Sequence, residues 1–315
     1  MISGGSARPA GPTPGAARRL GLASVLATPR REWWGLLFVL PALAWKIGFN
    51  LVPMANAFYI SLTSYDLLTP PRFIGADNYV GLATDARFKQ ALGNTFVYAF
   101  GRGIPLVVLS LFVAWVFARQ FRGKTVYRTL YFMPVIISGV VISIVWALLY
   151  DPRGMVNQLL STFGVGPILW LTKSDTAPIA IIIMAVWQSI GFYMIIFLAG
   201  LEGVPPDFYD AAIVDGAGGW QRFWHITLPL IKPTTLFVLV INLINGFQAF
   251  TYQFVMTRGG PSDATNVASL LIYDTGLQYQ KMGLASAMSI VLFGVIMAFT
   301  IFQMRVVKGD DTTYA

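Results

Sequence analysis

Long apolar stretches separated by short polar segments dominate the pattern along this chain. Six stretches reach the roughly 20 mainly apolar residues that a helix needs to cross a bilayer core. They lie at residues 34–62, 91–118, 130–150, 178–200, 233–256 and 283–304. The pattern therefore predicts an all-α membrane protein with six transmembrane helices.

The segments at the two ends have a different character. Residues 1–26 are rich in Gly, Ala, Pro and Ser and lack a helical period, which is typical of disorder. Their apolar residues are too scattered for a secretory signal. We expect a disordered basic cytoplasmic tail at 1–32, a transmembrane domain at 33–308 that includes a loop at 201–231, and a cytoplasmic tail at 309–315.

Composition and charge agree with a membrane protein. The 315 residues are 56% hydrophobic and 11% charged, whereas soluble domains average about 25% charged. The lack of cysteine excludes a disulfide framework, a thiolate metal site and a cysteine nucleophile. The net charge is +8, and most Lys and Arg residues outside the spans fall in segments that are cytoplasmic if the N-terminus is cytoplasmic. This bias predicts both termini inside.

The fourth polar loop, residues 201–231, contains several residues that favour the start or the end of a helix. Pro206 suits a helix start, and Asp210 adds favourable negative charge to the first turn. Gly216 is suited to a left-handed residue that ends this helix. A second helical piece is predicted at 220–227, stopped by Pro229. The residues alone fit equally well a docking element and a compact loop that has no partner.

The stretch DAAIVDGAGGWQRFWHITLP, residues 210–229, resembles the EAA loop of membrane subunits of binding-protein-dependent ABC importers. In that family a Glu-Ala-Ala triplet precedes a glycine, and a Leu-Pro pair follows. Asp210 stands where the family usually has Glu, so the charge is kept on a side chain shorter by one methylene. The resemblance implies that the loop couples the permease to an ATPase through Asp210, Ala211, Ala212, Asp215, Gly216, Ala217, Phe223 and Pro229.

Other segments extend the resemblance over nearly the whole chain. The stretches FIGADNYV (73–80), RGKTVYRTLYFMPVIISGVVISIVW (122–146), TRGGPSDAT (257–265) and MGLASAMS (282–289) resemble carbohydrate-type permeases, including glycerol-3-phosphate importers. The outer segments resemble the first member of the usual heterodimeric pair. The resemblance implies a type I, maltose-permease-like fold in the bacterial plasma membrane.

The resemblance also implies partners and a solute. These are a second permease subunit, two copies of an ABC ATPase that bind ATP and Mg, and an extracytoplasmic solute-binding protein. The transported solute would be a sugar or a glycerol phosphate. No cofactor is expected on this chain.

Polar residues in the fifth span are candidates for the solute pathway. Asn242, Asn245, Gln248 and Tyr252 are spaced by three and four residues, which predicts one helical face, and Gln253 is expected near the outer mouth. Amides and a phenol hydrogen-bond sugar hydroxyls, although such groups also join helices to each other. Trp187 and Gln188 in the fourth span are further candidates.

Two cations lie deep in predicted spans that contain no acidic residue. Lys46 and Arg102 have three open interpretations: binding an anionic solute, pairing with a carboxylate of the partner permease, or bonding carbonyls freed by Pro41 and Pro105. Charges within a membrane mark functional sites, so both residues are included as pathway candidates.

Catalytic chemistry is not indicated. The RGKT stretch at 122–125 lacks the glycine five residues before its Gly-Lys pair that a phosphate-binding loop needs. His225 is the only histidine, and a metal site needs several ligands. We expect a non-enzymatic transport subunit with no nucleic-acid partner. The alternatives are an ion-coupled secondary transporter and an ABC permease for another nutrient class.

Overall fold

The computed structural model describes residues 33–119 and 121–308. The described chain divides between residues 55 and 56 into two compact units. The predicted tails, 1–32 and 309–315, lie outside the described residues, and those boundaries stay predictions.

The described part of the first unit is helical. Helix α1 spans Trp33–Lys46 and continues through a π-helical turn, Ile47–Leu51, into helix α2, Val52–Ser61. The stretch Leu37–Ser61 is apolar enough to cross a membrane. It corresponds to the first predicted span.

The boundary falls within α2, so the second unit contains the end of α2 and the remaining elements. Its only strand pair among the described residues is β1, Thr63–Ser64, antiparallel to β2, Arg72–Phe73. The helices that follow are α3 Asp77–Thr84, α4 Ala86–Ala118, α5 Lys124–Ile136, α6 Gly139–Leu149, α7 Met155–Ser161, α8 Ala177–Glu202, α9 Asp207–Val214, α10 Gly219–Arg222, α11 Leu228–Leu230, α12 Lys232–Phe247, α13 Thr251–Met256, α14 Ala268–Tyr273 and α15 Met282–Lys308. Two further π-helical turns are Phe223–Thr227 and Asp274–Gln278.

Five described helical stretches are long and apolar enough to span a membrane, and a sixth span requires α5 and α6 to be taken together. Those two helices meet at an angle of 97°. The predicted span at 130–150 is therefore a pair of helices with a sharp bend between them, which the apolar pattern did not predict. Ile137 and Ser138 have extended backbone, with ψ of 136° and 135°, and the helix resumes at Gly139.

The largest buried cluster joins α4, α8 and α12. Leu106 and Ala114 of α4, Phe197 of α8 and Val238 of α12 are fully buried in it. Small residues let other helices approach closely, as they do in membrane proteins generally. A Cβ atom on Gly191 of α8 would overlap the backbone carbonyl of Tyr131 in α5.

Polar side-chain contacts join neighbouring segments at both ends of the long helices. Glu202, at the end of α8, accepts a 2.6 Å hydrogen bond from Arg128 and lies 3.8 Å from the Lys124 ammonium. At the opposite ends of the helices, Asn94 donates to the carbonyls of Asp263 and Asn266 at 2.7 and 3.0 Å. Both groupings agree with the predicted loop arrangement, in which 119–128 shares a side with Glu202 and the outer loops share the other.

We predict that Gly191→Ala destabilises the permease by roughly 1–3 kcal/mol, because the new methyl group forces α5 away from α8. The measurement is the unfolding midpoint in detergent. Gly294→Ala is the matched control, since a Cβ there meets no atom within 4 Å. Equal midpoints for the two variants would contradict the close packing.

Candidate functional site

A polar cavity of about 510 Å³ lies where the α5–α6 break faces α4, α8 and the α12–α13 junction. Its walls combine one cation with neutral hydrogen-bonding groups. The polar lining residues are Tyr98, Arg102, Ser138, Gln188, Asn245, Gln248, Thr251 and Tyr252. Such a lining suits a hydroxylated solute.

Gln188 satisfies the backbone at the break. Its Nε2 donates to the Ile137 carbonyl at 3.1 Å, and its Oε1 accepts from the Tyr252 hydroxyl at 2.8 Å. Irregular backbone at membrane depth needs such partners, since lipid supplies none. Gln188 and Tyr252 therefore hold the cavity wall as well as lining it.

Arg102 is 6% exposed and is held by neutral side chains. Its Nη1 donates to Asn242 Oδ1 at 3.1 Å, and its Nη2 donates to Ser189 Oγ at 3.0 Å. The partners of this guanidinium in the described chain are thus side chains, and not a carbonyl freed by Pro105. The interpretation that placed Arg102 on such a carbonyl is wrong.

The residues predicted on the fifth span separate into different roles. Asn242 is buried and donates to the Gly103 carbonyl at 3.2 Å while it accepts from Arg102, so it anchors the cation. Asn245 donates to the Tyr193 hydroxyl at 3.1 Å and lines the cavity, as does Gln248. Because α12 ends at Phe247, the prediction of one continuous helical face is wrong beyond that residue.

Three predicted pathway residues lie elsewhere. Gln253 is 2% exposed and lines a second cavity of about 340 Å³, together with Asn94 and Thr265 near the predicted outer side. Trp187 packs against Trp146 with ring centroids 5.3 Å apart and does not line the polar cavity. Lys46 is exposed in the first unit, and its pathway role stays a prediction.

Several cavity residues escaped the sequence reasoning. Tyr98 lines both cavities and lies one helical turn before Arg102, on the same face. The four-residue spacing from Arg102 could therefore have predicted Tyr98 as a cavity residue. Ser138, which lines the cavity, and Ser189, which accepts from Arg102, carried no such signal, because nothing local distinguishes such serines from those that bond their own helix.

In the loop at 201–231, Gly216 is left-handed, with φ of 79°, as predicted. Gly216 N–H donates to the Ile213 carbonyl at 3.0 Å, and Ala217 N–H donates to the Ala212 carbonyl at 2.8 Å. This pair of bonds is the Schellman motif, which satisfies carbonyls at a helix end. The chain therefore leaves α9 in a fixed direction.

The second half of the loop continues further than predicted. Helix α10, the π-helical turn and α11 run in succession to Leu230, so Pro229 does not stop the helix. Pro229 lies two residues after the π-helical turn ends at Thr227, and the helical stretch ends one residue later, at Leu230. Tyr209 and Thr227 join the two halves through hydroxyls 3.1 Å apart. Phe223 packs on Trp115 of α4, with ring centroids 5.5 Å apart.

The loop presents apolar side chains outward. Ile213, Val214, Trp220 and Trp224 are 54%, 88%, 68% and 48% exposed. The predicted coupling residues Asp210, Ala211, Asp215 and Gly216 are exposed, whereas Ala212, Ala217 and Phe223 are half-buried. His225 Nδ1 lies 3.0 Å from the Gln221 carbonyl, within its own helical turn.

A family model described as "binding-protein-dependent transport system inner membrane component" matches residues 81–309. The chain belongs to this family. The permease is 37% identical over 277 residues to the probable ABC transporter permease protein YesP of Bacillus subtilis, covering 86% of this chain and 89% of that protein.

Two further relatives carry the names of solutes. The trehalose/maltose transport system permease protein MalF of Thermococcus litoralis is 32% identical, covering 86% of this permease and 92% of that protein. The sn-glycerol-3-phosphate transport system permease protein UgpA of Escherichia coli O6:K15:H31 is also 32% identical, covering 89% and 96%.

A solved structure of similar fold is a bacterial ABC transporter involved in the import of the acidic polysaccharide alginate. It matches with a TM-score of 0.80 at 25% identity, covering 92% of this permease and 100% of that chain. The same kind of transporter in complex with an alginate pentasaccharide-bound periplasmic protein matches with a TM-score of 0.77 at 26% identity, covering 90% and 95%. These matches confirm the predicted six-span type I importer fold.

We predict that Gln188→Leu costs roughly 1–3 kcal/mol of stability, because it leaves the Ile137 carbonyl without a partner. Tyr252→Phe removes only the hydrogen bond from the Tyr252 hydroxyl to Gln188 Oε1 and should cost about 1 kcal/mol. Unfolding in detergent measures both. In the double variant the two losses should be clearly less than additive, because they share Gln188; strict additivity would contradict the network.

Proposed function

We propose that this permease is one of two membrane subunits that form the solute path of an ATP-driven importer. One observation carries the proposal: the two helices that leave the exposed loop are both walls of the polar cavity. Helix α8 carries Gln188 and ends at Glu202, where the loop begins. Helix α12 begins at Lys232, just after it, and carries Asn245. Movement of the loop is thus transmitted to two cavity walls.

We assign the loop as the docking element for an ATPase subunit. Exposed apolar side chains next to one another mark interaction surfaces, and Val214 and Trp220 are among the most exposed of this chain. The Schellman turn at Gly216 keeps the two halves in a fixed arrangement. A loop with a fixed conformation can transmit movement of the ATPase to the helices, whereas a flexible loop could not.

The solute class follows from the cavity and the relatives. Amide, hydroxyl and phenol groups line the cavity, and these groups hydrogen-bond sugar hydroxyls. The relatives named for trehalose/maltose and for glycerol-3-phosphate agree with a sugar or glycerol-phosphate solute. An ion-coupled carrier is disfavoured, since no acidic residue is among the described residues that line the cavity.

The remaining subunits complete the importer. We assign ATP and Mg binding to two copies of a separate ABC ATPase, and no catalytic step to this chain. A second permease would form a heterodimer with this one, in which this chain is the first member. An extracytoplasmic binding protein would deliver the solute, and both termini of this chain would lie in the cytoplasm.

The coupling role is tested at Gly216. Gly216→Val should lower binding-protein-stimulated ATP hydrolysis of the reconstituted importer at least about tenfold, because a β-branched residue strongly resists the left-handed conformation. Gly216→Asn is the control, since Asn tolerates this conformation and no atom lies within 4 Å of the added Cβ. Undiminished hydrolysis in Gly216→Val would contradict the role of the turn.

The topology is tested by thiol labelling, because the chain has no cysteine. In intact cells, Ser262→Cys should react with a membrane-impermeant maleimide. Ser6→Cys should react only after the membrane is permeabilised. The reverse pattern would invert the proposed orientation.

A further inference from the structure

We infer that the polar cavity is a subsite for an anionic group of the solute, a phosphate or a carboxylate, with Arg102 as the residue that selects it. This inference rests on the proposed function and narrows its solute class. It combines a buried unneutralised cation, its fixed orientation and the composition of the cavity wall.

The charge of Arg102 is not balanced within the described chain. The three ion pairs found there involve Arg87, Lys124 and Arg128, and none involves Arg102. An arginine carries five N–H donors, and the bonds to Asn242 and Ser189 use two of them. Its Nε is buried and has no hydrogen-bond partner in the described residues. Donors therefore remain for a further acceptor.

The guanidinium is held in place on two sides. Asn242 donates to the Gly103 carbonyl, which fixes its amide so that Oδ1 accepts from Arg102. Ser189, on α8, holds the other terminal nitrogen. A cation held in this way loses little freedom when an anion binds, and its planar fork matches two oxygens of a phosphate or carboxylate.

The other residues that line the polar cavity do not neutralise the positive charge of Arg102. The other polar lining residues, such as Ser138, Asn245 and Gln248, are neutral. A lone positive charge at membrane depth is costly, and such charges usually serve a pathway. A neutral sugar would leave that charge as it is, whereas an anionic group would neutralise it. A carboxylate of the partner permease would do the same, and the cavity would then be electrically neutral.

The local potential of the cavity distinguishes these two cases, and the cysteine-free chain makes it measurable. Ser138→Cys places a near-isosteric thiol in the cavity, and Ser174→Cys places one in the outer cavity. Helix α8 begins at Ala177, twelve residues and about 18 Å along the helix from Ser189, and Ser174 precedes its first turn, so screening weakens the effect of Arg102 there. The assembled importer is labelled with anionic sulfonatoethyl and cationic trimethylammonioethyl methanethiosulfonate, and the same complex without the added thiol gives the background.

We expect the anionic-to-cationic rate ratio at Ser138→Cys to exceed that at Ser174→Cys at least about tenfold, after correction for the intrinsic reactivity of each reagent. Adding Arg102→Gln should abolish the excess, and adding Arg102→Lys should retain most of it. A ratio at Ser138→Cys equal to the control, with Arg102 intact, means that a partner carboxylate neutralises the cation and overturns the inference. This comparison needs no Arg102 variant, so it stands even if Arg102→Gln fails to assemble.

Protection identifies the solute group. sn-Glycerol 3-phosphate should slow labelling of Ser138→Cys by the cationic reagent at concentrations at which glycerol has no effect, and Arg102→Gln should remove the protection. Protection by neither compound, or equally by both, contradicts an anion subsite. If the labelling ratio and the protection both fail while the importer still transports solute with ATP, only the anionic solute class is rejected. If the assembled importer shows no ATP-driven import, the proposed function itself is rejected.

Discussion

The hydrogen bond from Gln188 to the Ile137 carbonyl is the contact on which the candidate site depends. Helices α5 and α6 meet at 97°, and the backbone between them leaves the helical hydrogen-bond pattern. In lipid an unpaired carbonyl has no water to bond, and at this break a side chain from α8 supplies the partner. The same side chain accepts from Tyr252, which ties the α12–α13 junction to the break. The polar cavity lies between these bonded groups.

Helices α8 and α12 connect the cavity to the exposed loop. From Gln188 to the end of α8 is about 20 Å, and from the start of α12 to Asn245 is also about 20 Å, at 1.5 Å per helical residue. Both helices belong to the largest buried cluster, where Phe197 and Val238 are fully buried. Close-packed interiors transmit displacement rather than absorb it. On the proposed function, the permease therefore has a mechanical path from the exposed loop to the cavity.

Much of this arrangement was readable from the sequence, and the rest depended on distant partners. The apolar stretches predicted the spans, and the turn at Gly216 followed from a residue whose backbone preference is local. The break after Ile136 did not follow, because the group that stabilises it lies 51 residues away along the chain. Arg102 was recognised as anomalous from its depth alone. Its partners Asn242 and Ser189 were not, since only tertiary packing brings three helices to one guanidinium. Pro229 was misjudged because the helical backbone continues through a π-helical turn just before it and ends only at Leu230.

The central claim is that an ATPase moves this permease through the outward apolar face of the loop. A photoreactive amino acid at Val214, whose side chain is 88% exposed, tests it directly in the assembled importer. The account predicts a cross-link to the ATPase subunit, with none from the same group at Met155, on an outer segment of the predicted topology. A reactive group at Val214 that cross-links only to lipid, to the second permease or to nothing would contradict the claim.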